Sequence, residues 1–124
     1  MLGAVFLLHQ ASLAHLMSGH YYAACANDDA TALHHFQLYC NQQLNEPAMC
    51  NPNFAVGEML QCAGAACGVH DMSTAVYWVR QAKALFARVY ADEPALFAIA
   101  HKDAWRSSPG FWDLIERVPN MVRP

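Results

Sequence analysis

Apolar residues along the chain recur at three- and four-residue intervals, and no segment sustains the alternation of a strand. Residues 1–26 form the first such segment, carried by Leu2, Val5, Leu13, Leu16, Met17 and Tyr21 and loosened near Ser18-Gly19. Asn27-Asp28-Asp29 is a polar stop and an N-cap for the next helix. Over 30–44, Leu33, Phe36, Cys40 and Leu44 fall on one helix face. Asn45-Glu46-Pro47 and Asn51-Pro52-Asn53 then bracket a turn around Cys50. A third helix over 54–67 carries Val56, Met59, Leu60, Ala63 and Ala66 as its stripe. Asp71 to Ser73 can cap a fourth over 74–90, where Ala75, Val79, Ala82, Phe86 and Val89 repeat and Arg80, Lys83 and Arg88 lie elsewhere. Pro94 and Pro109 mark the starts of two more helices, 94–106 and 109–118. The pattern predicts an all-α fold of antiparallel helical hairpins with short loops. It forms one domain over 1–124, with a first hairpin at 18–67 and a cysteine-free helical half at 70–118.

Composition sharpens this picture. The chain has 124 residues, 56% of them hydrophobic and only 14% charged. That excludes a disordered tail and leaves too little polar surface to cover every apolar face, so some faces are expected to end against a partner. A net charge of -3 without a basic stripe argues against nucleic acid. No run of 18 apolar residues is present to span a membrane. The segment 1–8 is apolar but lacks a basic start and is interrupted by His9 and Gln10, unlike a secretory signal. The first arginine is Arg80, which does not fit a transit peptide, so entry into an organelle would use neither device.

Five cysteines stand at 25, 40, 50, 62 and 67. Two antiparallel helices joined through 41–53 would set Cys40 opposite Cys50, with Cys25 and Cys62 farther up. Nested bridges of that kind staple a small hairpin, the longer loop contributing about 3–4 kcal/mol. Two other readings stay open: reduced core thiols on apolar faces, and a zinc site from Cys62, Cys67 and His70.

Residues 18–50, SGHYYAACANDDATALHHFQLYCNQQLNEPAMC, resemble the twin-Cys hairpin of mitochondrial intermembrane-space proteins. Nine residues separate Cys40 from Cys50, the spacing that defines this coiled-coil-helix-coiled-coil-helix family. More narrowly, the stretch is similar to the complex I accessory-subunit family named for an N-terminal Pro-Gly-Ile-Val sequence. Gly19-His20-Tyr21 before Cys25, Phe36 before Cys40 and Pro47 before Cys50 carry the likeness, and Ala75-Val76-Tyr77-Trp78 matches the aromatic pair of its second hairpin. The departures are a fourteen-residue gap between Cys25 and Cys40, an eleven-residue gap before Cys62, and no cysteines in the second hairpin. The resemblance implies a non-catalytic structural subunit of complex I on the intermembrane-space side, associated with the inner membrane through partner subunits. It implies bridges Cys25–Cys62 and Cys40–Cys50, Cys67 unpaired, and no cofactor.

No phosphate loop, nucleophile elbow or metalloprotease helix is present in the sequence. Cys67 and His70 stand one turn apart, but nothing beside them would activate a thiolate, so a thiol enzyme is poorly supported. His34 and His35 are adjacent and must face differently, one solvated and one packed; His15 and His20 join them as the notable imidazoles. Trp105, Phe111 and Trp112 are the expected partner anchors. The alternative to the accessory subunit is a tetratricopeptide-like protein-binding module. Residues 70–82, HDMSTAVYWVRQA, read like the second helix of that repeat, and 27–39 is its best candidate copy.

Overall fold

The computed structural model describes residues 2–46, 52–89, 114, 115, 117 and 118. Its elements are α1 (Leu2–Ala24), α2 (Asp29–Asn45), α3 (Pro52–Gly68) and α4 (Met72–Val89), with no strand among the described residues. The all-α architecture expected from periodicity is the one adopted. Each helix packs on its neighbour in sequence: α1 on α2, α2 on α3, and α3 on α4. The expected stripes form the core, including Leu33, Phe36 and Cys40 of α2, Val56, Met59, Leu60, Ala63 and Ala66 of α3, and Ala75, Val79, Ala82 and Phe86 of α4. Trp78 is fully buried and donates its indole N–H to Gln37 Oε1 at 3.3 Å.

The two turns that reverse the chain are built alike. Asn27 and His70 both take left-handed backbone conformations, with φ of 52° and 62°. Each is followed by an aspartate cap: Thr31 donates its N–H to Asp28 Oδ1 at 3.1 Å and its hydroxyl to Oδ2 at 2.6 Å. Thr74 makes the same pair of bonds to Asp71, at 3.2 and 2.7 Å. A side-chain oxygen at this position satisfies one of the helix's unpaired N–H groups, and its charge suits the positive end of the helix dipole. Beyond the caps the helices keep step. The buried Ala32, Phe36, Tyr39, Cys40 and Gln43 of α2 correspond to the buried Ala75, Val79, Ala82, Lys83 and Phe86 of α4. The molecule is thus a tandem of two helical hairpins, α1–α2 and α3–α4.

Two expectations fail at single residues. The segment around Ser18-Gly19 is not loosened: α1 runs straight through it. Gly19 serves packing instead, since a β-carbon there would lie 2.7 Å from the ring of the fully buried Phe36. Lys83 is not among the solvent-facing charges but is only 5% exposed. Its ammonium donates to the backbone carbonyls of Ile115, at 2.6 Å, and of Val118. Leu114, Ile115 and Val118 are buried, so Lys83 fastens the end of a last helical turn to α4. This turn sits on α4 at the position equivalent to Cys40, the residue through which α2 touches α3. The expected helix at 94–106, with Trp105, Phe111 and Trp112, lies outside the described residues.

Replacing Gly19 by Ala tests the close approach of α1 and α2. Alanine gains about 1 kcal/mol of helix propensity, while forcing a methyl into a packed core costs about 1–3 kcal/mol. Because the Phe36 ring is enclosed, the clash should prevail, and denaturant melts should show a net loss of about 1 kcal/mol. A stability equal to or above the parent would mean that the ring can shift.

Candidate functional site

Most of the chemistry-bearing side chains collect where α1 meets α2. His15 Nδ1 and His35 Nδ1 lie 3.0 Å apart, close enough that one ring must donate and the other accept. Tyr22 stacks on His35 with its plane 3° away and its centroid at 5.7 Å, and His34 meets the same ring edge-on. His34 is exposed and His35 half-buried, the division expected of adjacent positions. Burial, and then the neighbouring His15 and His34, hold the His35 imidazole below the ordinary histidine range. The arrangement favours the neutral form of His35.

One turn farther along α1, His20 reaches Glu58 of α3, with Nε2 and Oε2 3.0 Å apart. The hydrogen bond to Glu58 lifts His20 above the ordinary histidine value; burial opposes this and the carboxylate's charge adds to it. The Glu58 side chain is 10% exposed and the His20 side chain 47% exposed, so water screens the pair from one side. Beneath these groups, Gln43 donates to the buried hydroxyl of Ser12 at 3.3 Å, satisfying two polar groups inside the α1–α2 seam.

Among the described residues no disulfide joins the cysteines expected to staple the hairpin. Cys25, Cys40, Cys62 and Cys67 are free thiols. Cys62 is fully buried against Cys40, and burial followed by that neighbour pushes its thiol far above the usual range. Cys25 is exposed in the turn beyond α1. That turn leads into Asp29, whose carboxylate lies at Gly68, the end of α3. Cys62 is fully buried six residues before the end of α3, whereas Cys25 is exposed, which sets the expected partners in different surroundings. The proposed Cys40–Cys50 bridge lies outside the described residues at Cys50. Burial also raises the half-buried Cys67 thiol, the opposite of nucleophile activation, and His70 beside it is exposed. Among the described residues, no three His, Cys, Asp or Glu side chains gather as a metal-holding cluster, the Cys62, Cys67 and His70 set included.

A groove of about 470 Å³ opens at the carboxyl-terminal end, lined by Met72, Val76, Arg80, Leu114, Arg117 and Val118. The most exposed of the large apolar side chains lie on α1, Leu7, Met17 and Tyr21, with Leu38, Phe54, Met72 and Tyr77 exposed on the other helices. Met17 and Tyr21, which periodicity assigned to a core stripe, therefore face solvent. No described helix is long and apolar enough to cross a membrane. Comparison of the chain with known protein families, with curated proteins and with solved structures finds no match.

The two perturbed imidazoles make opposite contributions to stability. His20, raised in the fold, stabilises fully below about pH 6.5, and that gain disappears as pH rises through its folded value. His35, lowered in the fold, contributes fully above the same pH and loses its contribution as pH falls. Proton NMR titration should find His20 above and His35 below the free-histidine value. Glu58→Gln should bring His20 down and leave His35 in place. Coincident titration of both rings would contradict the geometry.

Proposed function

We propose that this chain is a non-catalytic helical-repeat module, similar in build to tetratricopeptide proteins, that binds other proteins through its helix faces. The observation that supports this most directly is the duplicated turn, with a left-handed residue and the same Asp-to-Thr clasp in both copies and matching buried positions in α2 and α4. A single hairpin cannot bury its apolar face, whereas stacked copies share a continuous core and present extended surfaces suited to proteins. The packing of each helix mainly on its sequence neighbours, together with the exposed apolar positions of α1, suits such a stack. The uniformly unactivated thiols Cys62 and Cys67 agree with a binding role.

A narrower reading follows from the sequence resemblance, an accessory subunit of respiratory complex I facing the intermembrane space. Its support is the spacing of the cysteines in the sequence, while the contact of Cys40 with Cys62 across the α2–α3 hairpin is a different pairing from the one that the resemblance implies. Peptide mapping of the protein taken from its source under non-reducing conditions separates the two readings. Thiols throughout, with capture of partners outside the respiratory chain, fit the repeat module. Bridged cysteines with co-purification in complex I fit the accessory subunit and would displace our main reading.

The repeat itself has a direct test. Thr31 and Thr74 hold the Asp28 and Asp71 carboxyls below the usual range, so each cap operates at neutral pH. Each is lost as pH falls below the ordinary aspartate value of about 3.9 and through the lowered folded value. Asp28→Ala and Asp71→Ala should lower the melting temperature at neutral pH by comparable amounts, a few degrees each. Both should lose their effect in acid. A change confined to one of the two caps would show that the hairpins are not equivalent units.

A further inference from the structure

The joint between the two hairpins brings two thiols together. Cys40 of α2 and Cys62 of α3 are both fully buried, and they meet across the α2–α3 seam as hydrogen-bond partners. A buried cysteine alone is ordinarily a small apolar filler. Two thiols set against each other across a seam are also the two halves of a disulfide. The tandem adds a second observation at the same register. Counted from the caps at Asp28 and Asp71, Cys40 corresponds to Lys83, each twelve residues on. Lys83 is the residue by which α4 fastens the turn packed beyond it, through the carbonyls of Ile115 and Val118. In both copies, then, the second helix carries at this position the group that meets the next unit. In the later copy that group is a hydrogen-bonded ammonium, and in the first it is a thiol facing a thiol. The equivalence of the two positions rests on the repeat reading, whereas the meeting of the thiols does not.

We propose that Cys40 and Cys62 are a redox pair, closing by thiol–disulfide exchange into a bridge that locks the first hairpin to the second. This pairing differs from Cys25–Cys62 and from Cys40–Cys50, which the sequence resemblance implies. The oxidant is a small-molecule disulfide of the class of oxidised glutathione. One cysteine thiolate attacks a sulfur of that disulfide, forming a mixed disulfide and releasing the first small thiol. The second cysteine thiolate then attacks the protein sulfur of the mixed disulfide and releases the other small thiol. One S–S bond is made and one broken, two electrons pass to the small disulfide, and the two cysteine protons leave with its thiols. Enclosure sets the rate. Neither sulfur is reachable in the packed fold, and burial opposes thiolate formation at Cys62, so exchange waits for the α2–α3 seam to open. Once closed, the bridge opposes that same opening. Cys25, exposed, and Cys67, half-buried, react with the oxidant without any opening.

The test incubates the fully reduced full chain with oxidised glutathione, quenches it with an alkylating reagent and maps its peptides under non-reducing conditions. A linked Cys40–Cys62 peptide pair is expected. The melting temperature should rise by about 10 °C, as closing a loop of about twenty residues implies. Dithiothreitol should reverse both changes. Denaturant too mild to unfold the chain should speed the bridge, while modification of Cys25 should keep nearly the same rate. Cys25→Ser combined with Cys67→Ser alters neither partner and should leave the linked pair and the shift intact. Cys40→Ala should abolish both, and Cys62→Ala provides the same test if Cys40→Ala misfolds. Thiols at 40 and 62 after prolonged oxidation in mild denaturant, a bridge from either to another cysteine, or a linked pair that lowers the melting temperature would overturn the proposal. If the pair stays reduced while the two cap variants remain equivalent, the redox pair fails and the repeat stands. If the pair closes while the cap variants differ, the repeat fails and the redox pair stands.

Discussion

The clasp between an aspartate and the threonine three residues later is the constraint on which the architecture depends. Residues of α1 and α3 are apolar over much of their circumference, so hydrophobic periodicity alone leaves several rotations of each helix nearly equivalent. A left-handed residue followed by a doubly bonded cap removes that freedom. It fixes where α2 and α4 start, and with the start it fixes which side chains face the preceding helix. Ala32 and Ala75, each one residue beyond the clasp, are then both completely buried. The close contacts of the second helix with the first follow from there.

Given that starting point, the size of the facing residues sets the spacing. Gly19 admits Phe36 in the first hairpin, and the alanine-rich α3 admits Trp78 and Val79 of α4 in the second. The seams are not wholly apolar, and several polar groups within them are answered locally, although the buried Gln42 Oε1 has no hydrogen-bond partner. Ser12 meets Gln43, Trp78 meets Gln37, and His20 meets Glu58. Such pairs add little net energy, but leaving one member alone in a packed seam would cost about 1–3 kcal/mol. They therefore act against misregister more than they add to stability.

Much of this is legible from the chain. The caps at Asp28 and Asp71, the four helices and the stripes of α3 and α4 follow from periodicity and turn chemistry, because these act over a few residues. The likeness of 70–82 to 27–39 is also visible in sequence, although the two share few identities, since an identical turn needs only the Asp and the Thr. Long-range pairings are less accessible. Cys25 and Cys62 suit a staple by spacing, yet the register of α2 on α3 brings Cys40 to Cys62 and leaves Cys25 outside. Lys83 reads as a surface charge by composition, and only its location beneath the last helical turn explains its burial. Gly19 reads as a helix breaker until the ring it accommodates is known.

Charge is unevenly divided among the described helices, the few charged residues sitting on α2, α3 and α4. A helix packed from both sides can leave only narrow edges to solvent, and charged residues there keep those edges wet. α1 packs mainly on α2, yet among the described helices it is the one without Asp, Glu, Lys or Arg. A free solvent-facing helix ordinarily shows the reverse pattern, a polar outer face over an apolar inner one. An uncharged outer face on the end helix of a stack has the character of an interior position. The terminal units of free-standing helical stacks carry polar outer faces for the same reason, to stop the array. Here the turn held on Lys83 covers part of α4, while α1 keeps an exposed face without Asp, Glu, Lys or Arg.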